Sequence, residues 1–298
     1  MQISELKTAF YDAMFDSDDI NINPAEELVI ARVRTVLNDT NKLSSYIAPM
    51  PVLQIQLLEL LDKPDVEFSE LSSLIEQDPA LATRVLRIVN SPLYITRHKP
   101  DDLLSAIRML GVSGISSITS AILMEKIRPP KPIYYKMFGR QIWEHSLHCA
   151  HLCQTLAGQE SVDEFSAHFL GLIHDVGKII VFNCLSEAFC EGALDGDPGS
   201  KVFKDMMTEM STDISYFIAR DWELPEKFWV PLQEQSTSRQ TPLAKILYRA
   251  NLCAEIYLLL SRNKIEAKEA ESQLELLDCA GQTWQKFQEK APQLAEAI

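Results

Sequence analysis

Glycine is scarce in this 298-residue chain, with 10 in all. No stretch alternates apolar and polar residues for long enough to build a sheet, so strand-based folds are excluded. Basic residues are also few. The 28 Lys and Arg face 42 Asp and Glu, leaving a formal charge of −14 and a pI near 4.9. Binding to phosphates relies on clustered Lys and Arg that release counterions, so nucleic acid and anionic membrane are poor partners. No uninterrupted apolar run approaches the ~20 residues of a spanning helix. The opening MQISELKTAFYDAMFDSDD is acidic where a secretory leader would be basic and then apolar. A cytoplasmic protein is expected. The six cysteines, at 149, 153, 184, 190, 253 and 279, never have CxxC spacing and read as reduced core thiols.

What the chain does have is apolar content, 46% by composition, which is enough for a sizeable core. Its apolar residues recur at three- and four-residue spacing almost throughout, which predicts an all-α protein. Amphipathic helices are expected over 4–14, 25–42, 50–62, 68–77, 79–89, 102–110 and 113–126. They continue over 133–157, 161–182, 203–221, 225–234, 241–262 and 267–296, with a break near Cys279. Asp78-Pro79 places a capping side chain before a proline at the first helical position, where the missing N–H costs nothing. Asn90-Ser91-Pro92 ends that helix. Gly111 can close one helix and Ser113 can cap the next. Arg128-Pro129-Pro130-Lys131-Pro132 reads as a stiff seam between two lobes, and EGALDGDPGSK (191–201) as a loop.

One stretch raises a question of chemistry. In HFLGLIHDVGKIIVF (168–182), His174 and Asp175 adjoin inside an apolar helical run, about 100° apart on one helix edge. Burying a carboxylate without a partner costs several kcal/mol, so Asp175 needs a metal, His174, His145 or Lys178 beside it. Two imidazoles and one carboxylate are a minimal ligand set for a single ion. The same three groups can instead hydrogen-bond to one another and tie helices together. His148, His151 and His168 have no acidic neighbour in sequence and read as core residues, and His98 as a surface one.

WEHSLHCAHLC followed by GLIHDVGKIIVF resembles the HD superfamily of metal-dependent phosphohydrolases, whose signature is a His, a His-Asp doublet and a distant Asp. The wider series is more particular: PMPVLQIQLLELL, LSSLIEQDPALATRVLRIVNSPLYI, LLSAIRMLGVSGISSI, the HD segment and DWELPEKFW. In this order the segments resemble the HDOD family of bacterial signalling proteins. The resemblance implies a two-lobed helical bundle. An HDOD domain would span 46–240, with lobes at 46–128 and 133–240, an amino-terminal extension at 1–45 and carboxy-terminal helices at 241–298 packing on the core.

The resemblance also marks departures. Ser211 stands where active relatives carry a His, Gln235-Ser236 where a paired His is expected, and Asn251 where the last metal Asp would fall. Replacing Asp by Asn keeps shape but removes a charge beside a dication, and hard cations depend on charged oxygens. A two-metal phosphodiesterase site therefore looks unbuildable. His145, His174 and Asp175 leave room for one iron, manganese or nickel ion, but no cofactor is the expectation.

The family implies a regulatory module that works through other signalling proteins, with a residual metal-dependent phosphohydrolase acting on a nucleotide or phosphoester as the alternative. The chain carries no Gly-rich phosphate loop and no G-x-S-x-G elbow. A small nucleotide would lie in the cleft between the lobes, lined by the 90–100 loop, the proline seam and the HD helix. Lys178, Arg84, Arg87 and Arg97 are the cations at hand, although ordinary paired or solvated roles suit Lys178, Arg84 and Arg87 better.

Overall fold

The computed structural model describes residues 3–16, 21–22, 24–94, 99–126, 133–191 and 200–297, and among these every regular element is a helix. The expected punctuation shapes the first lobe. It comprises α4 (Val52–Leu61), α5 (Phe68–Glu76), α6 (Pro79–Val89) and α7 (Leu103–Glu125) around a cluster that includes Leu57, Leu71, Ile75, Val85, Ile88 and Ile107. Asp78 accepts from the backbone N–H of Ala80 (3.0 Å) and Leu81 (3.1 Å), with Pro79 opening α6. Asp102 caps α7 through Ser105 N–H at 2.7 Å. Within α7, Gly111 adopts φ 75°, ψ 171°, a backbone state open to glycine, so the segment is two helical pieces joined at a kink. Ser113 does not cap the second piece, for its hydroxyl is buried without a partner.

The remaining helices share the larger cluster. They are α1 (Ile3–Phe15), α2 (Pro24–Leu37), α3 (Thr40–Tyr46), α8 (Ile133–Gln159), α9 (Glu164–Ile173), α10 (Val176–Glu191), α11 (Ser200–Asp221), α12 (Glu226–Gln233), α13 (Pro242–Ser261), α14 (Ala267–Leu276) and α15 (Gln282–Ala297). The amino-terminal helices therefore bury residues such as Phe10, Val33 and Leu43 in the same core as α9 and α10. At the other end, Trp284 and Phe287 of α15 turn inward onto Tyr257 of α13, and His148 of α8 bonds the Ala291 carbonyl at 3.0 Å.

Three sequence expectations change. The helix expected over 25–42 divides because Asp39 caps a new helix, accepting from Asn41 N–H (3.1 Å) and Lys42 N–H (3.3 Å). The helix expected over 161–182 begins after Asp163, which accepts from Ser166 N–H at 2.9 Å, and breaks at His174-Asp175. Cys190 is exposed, whereas the other five cysteines are buried, and none is in a disulfide. The break expected near Cys279 separates α14 from α15, with Gly281 at φ 71°. The proline seam at 128–132 and most of the 191–201 loop lie outside the described residues.

Two helical stretches, Leu103–Glu125 and Glu164–Glu191, have the length and apolar composition of a membrane span. Of their most apolar windows, 61% and 94% is buried inside the protein, so packing in its own core accounts for their composition.

Candidate functional site

His174 and Asp175 do not sit on the edge of one helix. They form the turn between α9 and α10, with His174 as the residue that ends α9. Close packing fixes this turn. The Gly177 N–H donates to Ser215 Oγ of α11 at 3.0 Å, and a Cβ there would strike the Ser211 carbonyl and approach Ser215 N to 2.8 Å. Only glycine allows α10 and α11 to approach this closely.

Six side chains converge at the turn. His145 Nε2 lies 2.8 Å from Asn251 Oδ1 and 3.4 Å from Asp175 Oδ2. His174 Nε2 lies 3.0 Å from the same Asn251 oxygen and 3.3 Å from Asp175 Oδ1. Lys178 Nζ donates to Asp175 Oδ2 at 2.6 Å and faces the rings of Phe10 and Tyr11 at 5.1 and 5.4 Å. Asn251 Nδ2 in turn donates to Glu255 Oε1 at 3.1 Å. His145, His174, Asp175, Lys178 and Glu255 are all buried.

The hydrogen bonds assign the protons. His174 Nδ1 lies 2.7 Å from the Gly171 carbonyl, which can only accept, so Nδ1 carries a hydrogen. Its Nε2 also faces an acceptor, so the ring is an imidazolium. Burial, the largest single effect, depresses its pKa, but the Asp175 carboxylate and Cys149 together outweigh burial and raise it to about 9. His145 has its Nε2 hydrogen on Asn251 and a buried Nδ1 without a partner. Burial brings it down to about 3, so it is neutral. Burial would raise Asp175, yet His174 and Lys178 hold it well below the usual carboxylate range. Burial raises Glu255 above the ordinary value and Tyr11 to about 12.

One ligand atom each from His145, His174 and Asp175 lie within 4.8 Å of one another, close enough to share one ion, with the Asn251 amide oxygen as a neutral fourth donor. Such an ion would supply Lewis-acid polarisation. It would also displace the protons on both Nε2 atoms and meet an ammonium already bonded to its only carboxylate. Ser211 and Gln235, where the resemblance expects further ligands, are uncharged, and Gln235 Nε2 is turned to the Pro231 (2.9 Å) and Ala244 (3.1 Å) carbonyls. Ser236 points elsewhere, to Asp213 Oδ1 at 2.7 Å.

The cavity beside this network is lined by α1, α10, α11, α12 and α13. It is not the inter-lobe cleft expected from sequence. Arg84 pairs with Glu125 of α7, and neither it nor exposed Arg87 lines the cavity. Arg97 and His98 lie outside the described residues. Sequence reasoning brought Lys178, Ser211, Gln235 and Asn251 to the site. It missed Lys7 and Tyr11 of α1, Arg239, Tyr248 and Glu255. Glu255 had a signal, because it lies one turn beyond Asn251 in the apolar run NLCAEI. Tyr11 had none. His148 and His151 line the seat of α15 instead, His151 stacking on Phe287 at 6.3 Å.

Comparisons with known proteins agree with this architecture. Residues 47–238 match the model of the HDOD domain, more than half of the chain. An uncharacterized protein of Treponema pallidum (strain Nichols) is 23% identical over 210 residues, which is 67% of this chain and 40% of that protein. The chain thus spans well under half the length of that relative. In fold it is similar to a candidate metal-dependent phosphohydrolase of Shewanella amazonensis SB2B, with TM-score 0.66 and 14% identity over 92% of this chain and 100% of the other. A candidate signal transduction protein of Marinobacter aquaeolei VT8 is similar with TM-score 0.57 and 14% identity, over 93% of this chain and 68% of that one. Its match to the domain model over most of its length makes this chain a member of the HDOD family.

Proposed function

We propose that this chain is a non-catalytic regulatory module of bacterial signalling, acting in the cytoplasm by contacting other signalling proteins, with a degenerate HD centre kept as a structural tie. On this reading residues 46–240 form the module, and 1–45 and 241–298 are extensions that complete its core. The observation that carries the reading is Asn251. Where the resemblance expects the last metal Asp, a neutral amide accepts from both imidazoles, and Lys178 and His174 already balance Asp175. Exposed Val52 and Ile55 on α4, Phe68 on α5 and Met109 on α7 give the first lobe apolar surface for a partner.

A second reading rests on the convergence of His145, His174 and Asp175 within reach of one ion, a residual metal-dependent phosphohydrolase acting on a nucleotide or phosphoester. Metal analysis of protein purified without affinity tag or chelator separates the two, with Asp175→Ala as control. The first reading expects no stoichiometric iron, manganese or nickel and no phosphodiesterase turnover. One bound ion together with turnover that Asp175→Ala abolishes would establish the second.

A further inference from the structure

Two buried polar atoms at the cavity beside the HD turn have no partner in the fold. Glu255 uses Oε1 to accept from Asn251, but its Oε2 is buried and unbonded, on a residue only 3% exposed. Arg239 lays its guanidinium over the Tyr248 ring at 3.9 Å and donates from one terminal nitrogen to the Gln235 carbonyl at 3.0 Å. Its Nε is buried and unbonded. Both residues line the same cavity, of about 80 Å³. That is several times the roughly 10–15 Å³ that one water needs, and too little for a dinucleotide.

The two groups demand opposite chemistry. A carboxylate oxygen asks for an N–H donor, and the free edge of a guanidinium asks for a planar oxyanion. Tyr248, under Arg239, and Glu255 are seven residues apart on α13, so they lie on one face, separated by roughly 10 Å along the helix axis. Ser211 and Thr212 from α11 and Tyr11 from α1 also line the cavity. Leaving buried polar atoms unbonded is costly, whereas a ligand that bonds both recovers that cost.

We infer that this cavity binds a small amino-carboxylate, its N–H group on Glu255 Oε2 and its carboxylate on the Arg239 Nε edge. The inference rests on the reading of the HD centre as non-hydrolytic and adds the ligand class that occupies the neighbouring cavity. Binding there would bring α1, α11, α12 and α13 under the control of a small molecule.

Isothermal titration of the full chain tests this with ω-amino carboxylates from 4-aminobutyrate to 8-aminooctanoate as probes. Hexylamine and hexanoate, each lacking one charged end, are the controls. At least one probe is expected to bind at least about tenfold more tightly than either control, and Glu255→Gln and Arg239→Gln are each expected to weaken it by at least about tenfold. Arg239 is partly exposed, so its variant tests the site even if Glu255→Gln disturbs folding. The inference is overturned if no probe binds at concentrations up to about 10 mM, if a single-ended control binds equally well, or if Arg239→Gln binds like the native chain. Phosphoester turnover would overturn the non-hydrolytic reading instead, and it is measured separately from binding.

Discussion

The two long apolar stretches of the chain are broken in different ways. In 103–125 the break is conformational: Gly111 takes a positive φ, no charged group is involved, and the two pieces continue as one kinked element. In 164–191 the break is electrostatic. His174 and Asp175 form a turn in which an imidazolium, a carboxylate and an ammonium close on one another, 94% of the most apolar window around them being buried. A glycine kink depends on one residue's backbone freedom. The HD turn depends on partners from α8, α10 and α13 arriving together, so its stability is cooperative.

That contrast can be broken first at Lys178. Lys178→Met leaves Asp175 without its 2.6 Å partner in a buried site, at an expected cost of about 3–5 kcal/mol by chemical denaturation. Adding Asp175→Asn should recover a large part of the loss, and a strictly additive pair would show that the turn is not a network. Gly177→Ala comes next. Its Cβ collides with backbone rather than with a flexible side chain, and a loss of about 3 kcal/mol is expected. Gly111→Ala should cost only about 1–2 kcal/mol, for it meets no neighbour and pays only for an extended positive-φ backbone state that residues with a Cβ avoid. If both glycine changes cost the same, the distinction drawn between the two breaks fails.

The pH dependence sharpens the same comparison. The folded-state pKa of His174, about 9, lies above the ordinary 6.5. Its contribution is therefore complete below about 6.5 and is lost as pH rises through 9. His145 is depressed to about 3, so keeping it neutral costs stability as pH falls below 6.5, and Asp175 adds to that loss once pH falls below its unfolded-state value. Urea midpoints should peak near neutrality, and His174→Gln should flatten the alkaline side. The smallest effect belongs to the other lobe. Arg84→Ala removes a partly exposed pair with Glu125 and should cost no more than about 1 kcal/mol, leaving the pH profile unchanged.

Much of this was legible along the chain. Asp78-Pro79, Asn90 and Gly111 mark boundaries that local chemistry dictates, and three-to-four-residue periodicity names the fold class. The doublet and its upstream His145 were visible as candidates, and the position of Asn251 followed from the family pattern. The break at the doublet was not visible, because apolar periodicity runs straight through it and Gly177 acts only through its contact with α11. Of the cations expected at the inter-lobe cleft, Arg84 pairs with Glu125 and Arg87 faces solvent, while Arg97 and the proline seam lie outside the described residues.

Residue order alone thus determined the helical class, the Asp78-Pro79 start of α6, the acid excess and the membership in a family, which depend on neighbours within a turn or two, on residue counts or on the order of motifs along the chain. Tertiary packing alone decided that α1, from outside the matched region, brings Tyr11 and Lys7 to the cavity wall. It also decided that Asn251 bridges two imidazoles and that Glu255 and Arg239, each with an unbonded buried atom, line one cavity. Hydrogen bonding and charge balance act over a few ångströms, and residues hundreds of positions apart come that close only once the helices are assembled.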